Sequence, residues 1–268
     1  MKKEYLICVD SDGCAMDTMD MKHLRCFGPC LVKEWGLEQW ELPILKRWND
    51  MNLYTITRGI NRFRGLANML RIVHEDYCAV EGLEELELWV ETSPELSNEA
   101  LEKEKGSRIF RKALAWSKEV NREIEAIPMS KKRPFEGVKE ALQDANSFAD
   151  VVIVSSANRN AVLEEWEYHK LLLCVDRVLT QEDGSKTECI KRLLAEGYDR
   201  NHVLMVGDSK GDYDAAEKNG VFFYPILVCR EKQSWREFCN TALDKLRNGE
   251  YAGDYQKEKK NAFFTNLR

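Results

Sequence analysis

The chain has 268 residues, 44% of them hydrophobic and 32% charged, proportions of a globular protein that exclude a disordered or collagen-like one. Forty basic against 46 acidic residues leave a net charge of −6, which argues against a general electrostatic hold on nucleic acid and leaves room only for a local patch. No run approaches the roughly 18 apolar residues of a membrane span, so no membrane partner is expected.

At this length one core of about 150 residues plus a second body is expected. The opening MKKEYLICVDSDG has two lysines, but its apolar stretch is too short and meets acids too soon for a signal peptide; the expected location is cytoplasmic. The nine cysteines are odd in number, irregularly spaced and without a CxxC pair, and read as reduced thiols, several of them buried.

In chain order, YLICV at 5–9 is an apolar run that stops at Asp10, the pattern of a buried strand with a polar loop at its C-terminal end. Residues 18–133 carry little strand signal. Apolar residues there recur at helical spacing, as in Leu66, Leu70, Val73 and Leu83, Leu86, Val90. Ser93-Pro94-Glu95 reads as a helix start, with Asn98 helping to cap the turn that follows. From Lys46 to Arg71 bases dominate, and from Glu81 to Glu104 acids dominate; the acidic run reads as a solvated face, while the basic one suits either a solvated face or a hold for an anionic substrate. Pro128 and Pro134 bracket a basic return linker.

Four further strands are expected: 151–154 ending at Ser155, a weaker one within 171–179, 202–206 ending at Gly207 and Asp208, and 221–227. Helical patterns at 136–147, 158–169, 185–196 and 212–218 separate them, and strands alternating with helices imply a parallel sheet. Segment 233–247 reads as an amphipathic helix and 248–268 as a loose charged end. The expected architecture is α/β: a Rossmann-like three-layer core of residues 1–17 and 136–268, with a mostly helical domain, 18–135, inserted after the first strand.

The chemistry-bearing residues sit where ligands bind in such sheets, outside the C-terminal strand ends. Asp10-Ser11-Asp12-Gly13 puts two carboxylates in one loop mouth, costly unless a cation lies between them. The same residues also suit a turn whose aspartates bond their own backbone. An EF-hand is excluded, because Ala15 stands where that loop needs glycine. Gly207-Asp208-Ser209-Lys210-Gly211-Asp212 brings more acids to the same edge, and two acidic strand ends in one domain suggest a hard-cation site, Mg²⁺, with phosphate as ligand. Ser155 and Ser156 suit either phosphate oxygens or the cap of the next helix. Lys186 opens a helix against the helix dipole and suits either a charge partner that holds it there or an ordinary surface lysine. His23, Cys26 and Cys30 have no evident fourth partner for a zinc ion and read as packing; Asp17 suits a hinge or a helix cap.

In this order the strand-DxDG of Asp10 and Asp12, the strand-Ser of Ser155, the helix-start Lys186 and the GDxxxD of Asp208 and Asp212 resemble the haloacid dehalogenase superfamily. DSDGCAMDT looks like the opening of its members with a helical cap, and the insert falls where that cap is found. Cys14 in place of threonine and Thr187 in place of proline depart from the pattern without removing a reactive group. The resemblance implies Asp10 as nucleophile and Asp12 as general acid and base. It implies Mg²⁺ on the Asp10 carboxylate, the Asp12 carbonyl and Asp208, phosphoryl contacts from Ser155 and Lys186, and Asp212 as a support behind them. The acid at position 12 points to a phosphatase or phosphomutase rather than a dehalogenase. The expectation is a Mg²⁺-dependent phosphohydrolase of a small phosphorylated metabolite, monomer or homodimer, with Arg58 or Arg62 of the insert holding the substrate's non-reacting anion. A phosphomutase, or a non-catalytic phospho-ligand binder on the same fold, are the alternatives.

Overall fold

In the computed structural model, which describes residues 2–104 and 106–267, Tyr5–Val9 forms strand β1. Leu6, Ile7, Cys8 and Val9 have no solvent exposure, as a strand covered on both faces of a parallel sheet requires. A tight turn leads to the two-residue strand β2, Met16–Asp17. The chain divides into two units, Met1–Met19 with Met129–Arg268, and Asp20–Pro128.

The second unit is helical. Helix α1, Met19–Lys22, runs through a π-turn, His23–Phe27, into α2, Gly28–Trp35; α3 (Glu41–Leu53), α4 (Arg62–Asp76), α5 (Leu83–Thr92), α6 (Asn98–Glu102) and α7 (Arg108–Glu125) follow. Leu66, Leu70 and Val73 of α4 and Leu83, Leu86 and Val90 of α5 are all buried, so their helical spacing marks the inward stripe. Around them Phe27, Trp48, Phe63 and Trp116 interlock, with the rings of Trp48 and Trp116 edge to face at 6.1 Å. The expected helix start at Ser93 is corrected. Ser93 closes α5, because the residue before a proline is driven to the extended conformation it adopts here. Ser97 caps α6 instead, its Oγ accepting from Ala100 N–H at 3.0 Å.

The return strand β3, Arg133–Pro134, pairs antiparallel with β2, Met16 opposite Pro134 and Asp17 opposite Arg133. This ribbon belongs to the first unit, so the junctions fall at 19/20 and 128/129 rather than 17/18 and 135/136. Then come α8 (Val138–Phe148), β4 (Ala149–Val154), α9 (Arg159–Tyr168), β5 (Arg177–Leu179), α10 (Lys186–Ala195), β6 (Val203–Gly207), α11 (Lys210–Asn219) and β7 (Phe222–Pro225). The sheet order is β5-β4-β1-β6-β7, every pair parallel, with β1 at the centre. The run 171–179 yields only a three-residue strand. Val152 pairs with Arg177, so residues 171–173 lie level with α8 and have no strand to pair with; Leu172–Cys174 is a 3₁₀ turn.

The C-terminal region differs from expectation twice. The helix expected at 233–247 is α12 (Glu231–Glu237), a π-turn (Phe238–Ala242) and α13 (Leu243–Arg247). The charged end is ordered as α14, Asp254–Asn266, whose Phe263 is buried with its ring 5.2 Å from that of Phe223. Asn266 accepts from Val228 N–H at 2.8 Å and donates to Val228 O at 3.1 Å, fixing the helix end. Among the described residues no helix is long and apolar enough to cross a membrane.

Candidate active site

The register places the site. Val9 of β1 lies beside Ile153 of β4 and Val206 of β6, so Asp10, Ser155 and Gly207-Asp208 emerge at one edge. Asp10 N–H extends the ladder to Val206 O at 3.0 Å. The carboxylates of Asp10, Asp208 and Asp212, all buried, have oxygens within 4.8 Å of one another. Lys186 Nζ stands among them, 2.8 Å from Asp10 Oδ1 and 2.5 Å from Asp212 Oδ1. Those carboxylates hold a lysine at a helix start that the dipole disfavours. The start itself is set by Gly184, at φ +104°, and by the Ser185–Glu188 capping box. Burial pushes the Asp10 carboxyl well above the usual carboxylate range; Lys186 opposes that shift, and Asp212 and Asp208 add to it. Burial works to lower the Lys186 pKa, but the charges of Asp10 and Asp212 and its bonds to them reverse it, and the net shift is upward.

Asp212 is locked from behind. Its Oδ2 accepts from Ser209 N–H at 3.0 Å and from Ser209 Oγ at 2.7 Å, a capping box at the start of α11. Gly207 makes room for it: a Cβ there would lie 2.2 Å from Asp212 Cγ. Asp12 Oδ1 accepts from Thr18 Oγ1 at 2.6 Å, and Thr18 is fully buried. Ser155 is buried and its Oγ accepts from Ala157 N–H at 3.1 Å, leaving its O–H to donate. Ser156 is exposed. Neither serine caps α9; Asn158 does, its Oδ1 accepting from Asn160 and Ala161 N–H.

A family model described as haloacid dehalogenase-like hydrolase matches residues 61–226, which include Ser155, Lys186, Asp208 and Asp212. The chain belongs to the haloacid dehalogenase-like hydrolase family. Asp10 and Asp12 precede the matched span, and their place rests on the sheet register. Similar solved structures include a haloacid dehalogenase-like hydrolase from Streptococcus pneumoniae (12% identity, 91% of this chain and 97% of that one, TM-score 0.50). Others are a Lactobacillus plantarum protein proposed to be a phosphoglycolate phosphatase (11%, 92% and 99%, 0.51) and a protein from Clostridium acetobutylicum described as a predicted phosphatase (12%, 84% and 85%, 0.50). At these identities the likeness is one of fold. A search of curated proteins finds no match.

For a haloacid dehalogenase-like hydrolase the donor set suits a hard cation. It is all oxygen, and one ammonium stands among three buried carboxylates. Asp212 already accepts three hydrogen bonds from protein groups, which leaves Asp10 and Asp208 as the carboxylates best placed to ligate. Of the departures from the family pattern, Cys14 is fully buried, its Sγ 3.6 Å from Val206 O, and burial pushes its thiol well up.

Arg58 and Arg62 lie in the second unit. Arg58 is 1% exposed, and its Nη1 donates to Leu53 O at 2.8 Å and lies 3.9 Å from Asp20 Oδ1. Arg62 Nη1 donates to Ser117 Oγ (3.0 Å), Ser117 O (3.3 Å) and Asn121 Oδ1 (2.6 Å), and its guanidinium lies over the Phe27 ring. These partners are neutral, and burial pulls Arg62 down to about 10. Arg71 of the basic run binds Glu87 of the acidic run in bidentate fashion, and Arg108, outside both runs, lies 3.2 Å from Glu81. His23 Nδ1 accepts from buried Trp48 Nε1 at 3.0 Å and stacks on Phe27, while Cys26 and Cys30 pack in the same core. Asp17 lies in the β2–β3 ribbon.

Sequence reasoning passed over Thr18, Ser11, Ser209 and Gly207. Ser209 was legible, because S-x-x-D ahead of a helix is a capping signal. Thr18 and Ser11 carry no such signal, since their importance comes from what burial brings against them.

Proposed function

We propose that the chain is a Mg²⁺-dependent phosphohydrolase of small phosphorylated metabolites that works through an aspartyl-phosphate on Asp10. The observation that carries the proposal is Lys186 Nζ bridging Asp10 and Asp212 beside Asp208 at one strand edge. A buried carboxylate bonded on one oxygen to a lysine keeps a second oxygen for attack on phosphorus. That attack forms the Asp10–O–P bond and breaks the P–O bond to the leaving group, whose oxygen takes the proton from Asp12. Water then gives a proton to Asp12 and attacks the aspartyl-phosphate, which restores Asp10 and frees phosphate. Ser155 O–H and Lys186 hold phosphoryl oxygens, with Ser156 beside them. Mg²⁺, held by the carboxylates of Asp10 and Asp208 and the carbonyl of Asp12, would offset the repulsion between carboxylates and a phosphate dianion. Asp212 orients Lys186 and α11.

The second unit is proposed as the cap that selects the substrate, with Arg58 or Arg62 taking the non-reacting anion. What supports this is the part-buried guanidinium of Arg62, whose partners among the described residues are neutral; Arg58 is buried and already bonds Leu53 O. Purified protein assayed on a panel of phosphate esters with Mg²⁺ tests the reading. Phosphate release is expected, lost in excess EDTA and in Asp10→Asn with unchanged circular dichroism. An isomerised phosphosugar without phosphate release would make the chain a mutase, and turnover by Asp10→Asn would remove the nucleophile assignment.

A further inference from the structure

Between Asp10 and Asp12 stands Ser11, a residue with no solvent exposure whose hydroxyl accepts from Trp166 Nε1 at 2.9 Å. We infer that Trp166 is a positioning residue for the catalytic loop, acting through Ser11; what that loop does is taken from the phosphohydrolase reading above.

The loop needs such a hold. The sheet's ladder ends at Asp10 N–H, and beyond it the turn is held by Ser11 O, which accepts from Cys14, Ala15 and Met16 N–H at 3.3, 3.0 and 2.8 Å. Those bonds fix Ser11 to the residues after it, not to the body of the unit. From outside the turn, Phe135 N–H donates to Ala15 O at 3.0 Å and Cys14 Sγ lies 3.6 Å from Val206 O, and two buried indoles add side-chain anchors: Trp235, whose Nε1 donates to Cys14 O at 2.9 Å, and Trp166 on the Ser11 hydroxyl, the one that holds the residue between the two acids. Ser11 contributes the peptide units that join the proposed nucleophile to the proposed acid and base, so its torsions aim both carboxylates. An indole N–H only donates, and a fully buried hydroxyl without a partner costs free energy, so the pair defines one arrangement.

Helix α9 makes Trp166 a firm anchor. Its neighbour Glu165 lies 3.6 Å from Lys132 Nζ, and one turn on His169 Nε2 is 2.6 Å from Lys132 O, so the helix is tied to the segment leading into β3.

The test compares Ser11→Ala, Trp166→Phe and the double variant by steady-state kinetics on p-nitrophenyl phosphate, by calorimetric titration with Mg²⁺ alone, and by thermal melting. Each single variant is expected to lower kcat roughly 10- to 100-fold with KM within about twofold, the scale of a sub-ångström to 1 Å misplacement. Mg²⁺ affinity should fall in parallel, and the double variant should lose no more than the worse single one. Wild-type kcat and Mg²⁺ affinity in Ser11→Ala, whatever its melting temperature, would overturn the inference, as would additive losses in the double variant. Should Trp166→Phe not fold, Ser11→Ala, which removes one oxygen, decides. A wild-type chain that binds Mg²⁺ but turns over no ester removes the phosphohydrolase reading and leaves the Mg²⁺ titration to judge Trp166; one that neither binds nor turns over removes both.

Discussion

Lys186→Met keeps most of the side chain's length and removes its charge. The lysine side chain is 11% exposed and bonds Asp10 at 2.8 Å and Asp212 at 2.5 Å, so its loss leaves buried carboxylates facing one another. Removing one partner of a buried ion pair costs about 3–5 kcal/mol, and at about 2–4 °C per kcal/mol for a chain of this size the melting temperature in EDTA should fall by roughly 6–20 °C. The loss should depend on pH. A carboxyl whose folded pKa is raised contributes stability below its unfolded pKa and loses it as pH rises through the folded value. Asp10 is already raised, and Lys186 is the group that opposes the shift, so the variant's Asp10 is raised further and its deficit grows with pH. Lys186, raised in the wild type, contributes its own stability throughout the neutral range and loses it only above the ordinary lysine value. Melting both proteins in EDTA over a series of pH values should therefore show a gap that widens once the pH passes the raised folded value of Asp10. Mg²⁺ should narrow that gap by returning positive charge to the site. A gap that narrows as pH rises, or no loss at any pH, would refute the electrostatic account of why this lysine stands at a helix start.

Gly207→Ala puts a methyl 2.2 Å from Asp212 Cγ, so a melting temperature lowered by the equivalent of about 1–3 kcal/mol or more and a loss of turnover are expected; normal values would mean that Asp212 can shift freely. Thr18→Val, close in shape, removes the donor to Asp12 Oδ1, and kcat is expected to fall about tenfold with the fold retained by circular dichroism. Arg62→Ala should raise KM roughly 10- to 150-fold for the physiological ester, the worth of about 1.5–3 kcal/mol, and far less for p-nitrophenyl phosphate; equal effects on both would return Arg62 to a packing role. Phe263→Ala should cost about 3–5 kcal/mol in thermal denaturation, because the ring packs on Phe223 and Tyr213, and a negligible change would mean that α14 is dispensable.

The strands and the acids at their ends were legible because both are local. An apolar run that stops at an aspartate is written in consecutive residues, and two such edges, with a third that stops at Ser155, converge by the rule that parallel strands align their C-terminal ends. The helical stripes of the second unit were equally readable, since Leu66, Leu70 and Val73 share a face by spacing alone. The C-terminal helix was not. Its outward residues are charged and dominate the composition, while the few inward ones, Phe263 among them, count only once β7 is there to receive them. The length of β5 was set by the register of β4 and by the place where α8 ends, neither of which lies in the residues 171–179. At the site, residue type named Asp10, Asp12, Lys186 and Asp208, but only folding could say what holds each in place. Lys186 meets Asp212 from 26 positions away and Trp166 meets Ser11 from 155. Burial gives such pairs their strength by removing the water that would otherwise compete for the same donors, and burial is a property of the assembled core.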